Sequence, residues 1–140
     1  MYQRDYILRM IEMLGELIAG ILGFIKKKEF QKASVSLENA YYDFLRQDAS
    51  LFKNIPKEQL TSQLLNEHNF TNGHLEILSE LFYAEAELLY AQNKHKESLE
   101  FYEKSLLLLE FNIKELKLFS SEKQSKIILL QNRIVQLKKV

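Results

Sequence analysis

Phe82–Ser105 reads FYAEAELLYAQNKHKESLEFYEKS, and its spacing decides the fold. Phe82, Ala86 and Leu89 stand four and three residues apart, so a large, a small and a second large side chain share one helical stripe. Beyond the polar break Asn93-Lys94, the residues Ser98, Tyr102 and Ser105 repeat those steps as small, aromatic, small. Small residues let two helices approach closely while large ones fill the space beside them. The stretch therefore predicts an antiparallel helical hairpin, one helix from about His74 to Gln92 and the next from about Lys96 to Phe119. Leu106 to Leu109 is apolar too far around the second helix for one exposed face, so its middle should be buried.

Working outward, Asn69-Phe70-Thr71-Asn72-Gly73 combines residues that tolerate positive φ with residues that cap helices, and predicts a loop. Ser121-Glu122-Lys123-Gln124 has capping-box spacing and opens a last helix in which Ile127, Leu130, Ile134 and Leu137 recur at three and four. Toward the amino terminus, Asp5, Arg9, Glu12 and Glu16 fall on one narrow stripe, and almost everything else from Tyr6 to Ile25 is apolar. Such a helix must be covered over most of its circumference. Lys26-Lys27-Lys28 suits its negative end. A second helix follows from Glu29 to about Gln47, carried by Phe30, Ala33, Leu37, Ala40, Tyr41, Phe44 and Leu45. Asp48-Ala49-Ser50 breaks the pattern, and Pro56 in a first turn signals a shorter helix to about Glu67. The expectation is a single all-α domain over residues 1–140, a compact bundle of about six helices, five long and one short, closed by a C-terminal capping helix.

The six spaced residues from Phe82 to Ser105 resemble a tetratricopeptide unit. Leu17, Ile21, Phe24, Ala33, Leu37 and Ala40 make a looser copy 65 residues earlier, counted from Leu17 to Phe82. That is not the roughly 34-residue period of a regular array. Glu85 stands at a usual leucine position, Ile21 at a usual small position and Glu110 at the usual closing proline. The opening Arg4-Asp5-Tyr6-Ile7-Leu8-Arg9-Met10-Ile11-Glu12, followed by Leu14-Gly15, resembles that of a family of small uncharacterised bacterial all-helical proteins with a tetratricopeptide-like fold. The resemblance implies irregular tetratricopeptide-like hairpins over nearly the whole chain, and brings no activity or site residues with it.

Composition removes several functions. Lys plus Arg and Asp plus Glu both number 19, so the chain lacks the positive field of a nucleic-acid binder. Cysteine is absent, which excludes disulfides, thiolate metal sites and thiol nucleophiles. The longest uncharged run, Leu17 to Ile25, covers nine residues, against the roughly 20 needed to cross a bilayer. Neither an integral membrane segment nor a secretion signal is read, and a cytoplasmic location is expected. His68, His74 and His95 lack helical metal-pair spacing. Neither a nucleophile elbow nor a glycine-rich phosphate loop occurs, so the expectation is no enzyme, no metal and no cofactor.

Two candidate surfaces remain. Glu80, Tyr83, Glu87 and Tyr90 share a stripe that corresponds to the peptide-groove face of a tetratricopeptide unit, where tyrosine supplies amphipathic contact and glutamate favours a basic ligand. The simplest alternative is a solvated amphipathic face. Gly15, Ala19 and Gly23 form a small-residue groove on the first helix. Packing against the second or last helix is its simplest use; a homodimer or transient membrane contact are the others. Ile18, Leu22 and Ile25 are too apolar for open solvent and should be capped. Glu outnumbers Lys eight to three between Glu76 and Glu110, whereas from Lys114 onward seven Lys or Arg face two Glu. Such asymmetry favours head-to-tail contacts or a last helix folded back on its own acidic region. The expected function is a protein-protein interaction or self-association module, the partner being another protein or a second copy. The alternative is a small-molecule or lipid binder with an apolar pocket between helices.

Overall fold

In a computed structural model that describes residues 2–116 and 120–139, with side chains over 8–115 and 120–139, the described residues form helices and turns without a strand. Helix α1 spans Tyr2–Lys26 and α2 spans Phe30–Leu45. The turn between them is a Schellman motif: Glu29 N donates to Phe24 O at 2.8 Å and Lys28 N to Ile25 O at 3.0 Å. Lys28 takes the left-handed position at φ 62°. Leu14, Ile18 and Ile21 of α1, with Ala33, Leu37 and Tyr41 of α2, are buried, as the periodicity requires.

Asp48-Ala49-Ser50, read as a break, instead opens a one-turn helix α3, Ala49–Lys53, whose Ala49 and Phe52 are buried. Burial of Phe52 against Tyr41 and Phe70 drives this turn despite a length too short to be stable alone. The short helix expected from Pro56 is one continuous helical stretch of changing hydrogen bonding. It runs from a 3-10 turn at Lys57–Gln59 through α4, Leu60–Ser62, to a π turn at Gln63–Glu67.

Helix α5, Asn72–Ala91, is the centre of the bundle and packs against α1, α2 and α6. It starts inside the predicted loop because Thr71 caps it: His74 N donates to Thr71 Oγ1 at 3.4 Å, and Thr71 N donates to His74 Nδ1 at 3.0 Å. Helix α6 spans His95–Leu116; the end predicted at Phe119 lies outside the described residues. Two serine bonds fix the hairpin: Ser98 Oγ donates to Ala86 O at 2.8 Å and Ser105 Oγ to Ser79 O at 2.7 Å. Position 105 pairs with 79 and 98 with 86, so the helices are antiparallel. Phe82 and Tyr102 are fully buried beside that seam.

Helix α7, Ser121–Lys138, packs on α6. Its cap is Ser120, one residue before the predicted one, with Lys123 N donating to Ser120 Oγ at 3.1 Å. Leu130, Ile134 and Leu137 are buried while Ile128 and Val135 are 56% and 51% exposed. No described helix is long and apolar enough to cross a membrane.

Candidate functional site

Glu80, Tyr83, Glu87 and Tyr90 do share one side of α5, and basic residues of α7 cover it. Lys126 Nζ lies 3.3 Å from the centre of the Tyr83 ring and 3.5 Å from Glu80 Oε2. Arg133 stacks over Tyr90 at 5.2 Å and reaches Glu87 Oε1 at 3.7 Å. One turn earlier, Lys123 Nζ donates to Glu76 Oε1 at 2.6 Å. The pairs 123–76, 126–80 and 133–87 ascend together, so α7 runs parallel to α5. A cation above a tyrosine face with a carboxylate beside it gains from both partners, more so where water is partly excluded. The face is thus covered rather than open to solvent: Tyr83 is 7% exposed, while Glu80, Glu87 and Tyr90 are half-buried.

Glu87 is the junction of the site. It accepts from Tyr83 Oη at 2.9 Å and from Tyr102 Oη of α6, besides facing Arg133. Burial raises both phenols well above the ordinary range, and the neighbouring Glu87 carboxylate raises them further. Lys126 moves the other way, its ammonium lowered by burial and partly restored by Glu80. Arg133 Nε is buried without a hydrogen-bond partner among the described residues. Tyr102 and the α7 cations are the members of the site that stripe spacing on α5 missed. The cations were signalled by the charge asymmetry between the acidic hairpin and the basic end of the chain, and Tyr102 only as a seam aromatic.

The second candidate surface stands open. Among the described residues, a Cβ added at Gly15, Gly20 or Gly23 would meet nothing within 4 Å. Gly15 and Ala19 are exposed, so neither α2 nor α7 packs into this groove as expected. Three small residues do not by themselves bring helices together; α1 instead packs through Leu14, Ile18 and Ile21, whose burial removes more apolar surface from water. Of the neighbouring apolar face, Ile18 is buried while Leu22 and Ile25 are half-buried. Ile11 and Gly15 line a cleft of about 250 Å³ whose other walls include Glu80 of α5 and Lys126 of α7.

Elsewhere, Glu85 is buried and held by Lys53 of α3 at 3.2 Å. Burial pushes its carboxyl above the usual range and Lys53 pulls it back. With Asn54, Glu97, Glu100, Leu89 and Phe101 it lines a cleft of about 370 Å³. The ion pair neutralises Glu85 and ties α3 to α5, a structural use of the charge. Lys104, 1% exposed, holds its ammonium 5.8 Å from the centre of the Phe82 ring and 5.2 Å from that of Phe101, and donates to Lys53 O at 3.1 Å. Among the described residues no group of three or more His, Cys, Asp or Glu could hold a metal ion. No known family model, no curated protein and no solved structure matches the chain.

Proposed function

We propose that this chain is a tetratricopeptide-like protein-interaction module that self-associates through the open face of α1. The observation that carries the reading is that no described residue covers Gly15, Gly20 or Gly23, on a helix that exposes Leu8 and Met13 by 51% and 57%. A second helix can approach closely along Gly15, Ala19 and Gly23, where the backbone is bare, with the exposed charges Arg9, Glu12 and Glu16 beside the contact. The tetratricopeptide part of the reading rests on the Ser98, Ser105 and Ala86 seam with Phe82 and Tyr102 buried beside it. Binding by burial of a helix face needs no cofactor and no chemistry at the interface.

The same geometry supplies the test. Since a Cβ at position 15 or 23 meets no described residue within 4 Å, Gly15→Leu and Gly23→Leu are expected to fold as the parent does, which circular dichroism of each variant checks. Light scattering over a concentration series should show a concentration-dependent dimer for the parent and a monomer for both variants. A parent that stays monomeric at every concentration, or variants that dimerise equally, would reject the proposal.

A further inference from the structure

The α7 contact has the form of a ligand bound to a receptor face. Its cations sit at positions 123, 126 and 133, and each finds a carboxylate of α5. Two of them also find a tyrosine ring. The apolar part of the contact buries Leu130, Ile134 and Leu137 and half-buries Ile127, with the helix seated on α6. The apolar residues supply attachment, while charge and aromatic faces placed at fixed spacing supply selectivity. Glu76 and Glu80 take no part in the serine seam that joins α5 to α6, and Glu87 keeps its bonds from Tyr83 and Tyr102 within the hairpin, so these hairpin contacts do not depend on α7.

We infer that the acidic, tyrosine-bearing face of the α5–α6 hairpin is a docking surface for a basic amphipathic helix supplied by a partner protein, and that α7 is its tethered competitor. The fitting helix carries cations at i, i+3 and i+10 and apolar residues at i+4, i+7, i+11 and i+14, the pattern α7 itself displays from Lys123 to Leu137. Charge complementarity selects this occupant: an acidic or neutral helix would leave Glu76, Glu80 and Glu87 desolvated without partners. The inference uses a different face from the α1 proposal and stands or falls separately.

Tethering gives α7 an effective concentration on the order of millimolar, so a free helix competes poorly until α7 is loosened. The test titrates a fluorescein-labelled peptide with the sequence of residues 120–139 onto the full-length chain, followed by anisotropy. Leu130→Ala, which loosens the resident helix, should tighten apparent peptide binding by about tenfold or more, since the vacant state becomes more populated. Binding should weaken as salt rises. It should be lost when Glu80→Lys is added to Leu130→Ala, and also when the peptide carries glutamate in place of Lys126 and Arg133. Helical circular dichroism of each variant confirms that the hairpin persists. If the loosened, folded chain ignores the peptide, or binds it equally with Lys at position 80, the inference is wrong. A dimer of the loosened chain that excess peptide disperses would reassign the face to α7 of a second copy and overturn the choice of a foreign helix.

Discussion

Helix α6 packs directly along α5, whereas α7 rests on α6 and reaches α5 through its long side chains, and the two contacts with α5 are made by different forces. Against α6, α5 buries Phe82 and Ala86, and Ser79, Ser98 and Ser105 spend their hydroxyls on backbone carbonyls at 2.7–2.8 Å. Those bonds join neutral groups in a dry seam, so salt and pH barely reach them. Against α7, the same helix offers Glu76, Glu80, Glu87 and two tyrosine rings to three cations. That contact answers to ionic strength and proton concentration. One helix therefore has a permanent neighbour on one side and a conditional neighbour on the other.

The largest effect should come from breaking the permanent side. Phe82→Ala removes a fully buried ring between Tyr41 and Phe101 and should cost about 3–5 kcal/mol in urea unfolding. Leu130→Ala on the conditional side should cost less, about 2–3 kcal/mol, and should speed backbone hydrogen exchange in α7 while leaving α5 protected. Equal deprotection of both helices would show that the two seams are one cooperative unit. Glu87→Ala leaves two phenols and a guanidinium without their shared acceptor and should cost about 1–3 kcal/mol. Raising salt should shrink that difference, whereas the cost of Phe82→Ala should stay constant.

Alkaline titration separates the seams further. Tyr83 and Tyr102 have folded-state pKa values raised above the unfolded value near 10, so their contribution is whole below that pH and is lost as pH climbs beyond it. Lys126, lowered in the folded state, gives a smaller contribution of opposite sign that recovers as pH approaches its unfolded value. Stability should therefore fall above pH 10 and fall less steeply in Tyr102→Phe. The smallest effect belongs to the α5 cap. Burial lowers His74, so the cap is intact above the ordinary histidine range and weakens as pH falls through it. The loss should be about 1 kcal/mol or less and should vanish in His74→Gln, whose amide still accepts only weakly at the same place but does not titrate.

The long helices were legible because apolar residues at three and four leave little choice of fold, and the α5–α6 hairpin because Ser98, Tyr102 and Ser105 mark a close crossing. The covering of the tyrosine face was legible only as one of two outcomes of charge asymmetry, since periodicity does not say whether a basic helix finds its own chain or another. Other features depend on partners far away in sequence. Glu85 looks out of place until Lys53 arrives from α3, a helix whose five residues are too few for a periodic signal. Lys104 reads as a surface charge, yet its amine meets the Lys53 carbonyl and the carboxylate of Glu100 at 3.3 Å. The open face over Gly15 was misread because small residues permit a neighbour without attracting one.

The unequal gaps between the α7 cations have a consequence for alignment. Steps of three and then seven residues on α7 meet steps of four and then seven on α5. Sliding α7 back by one turn would bring Lys126 opposite Glu76 but set Leu130 opposite Glu80 and carry Lys123 beyond the start of the acidic row. Only one offset satisfies all three carboxylates, so the spacing works as a vernier that sets the axial position of whatever helix lies there.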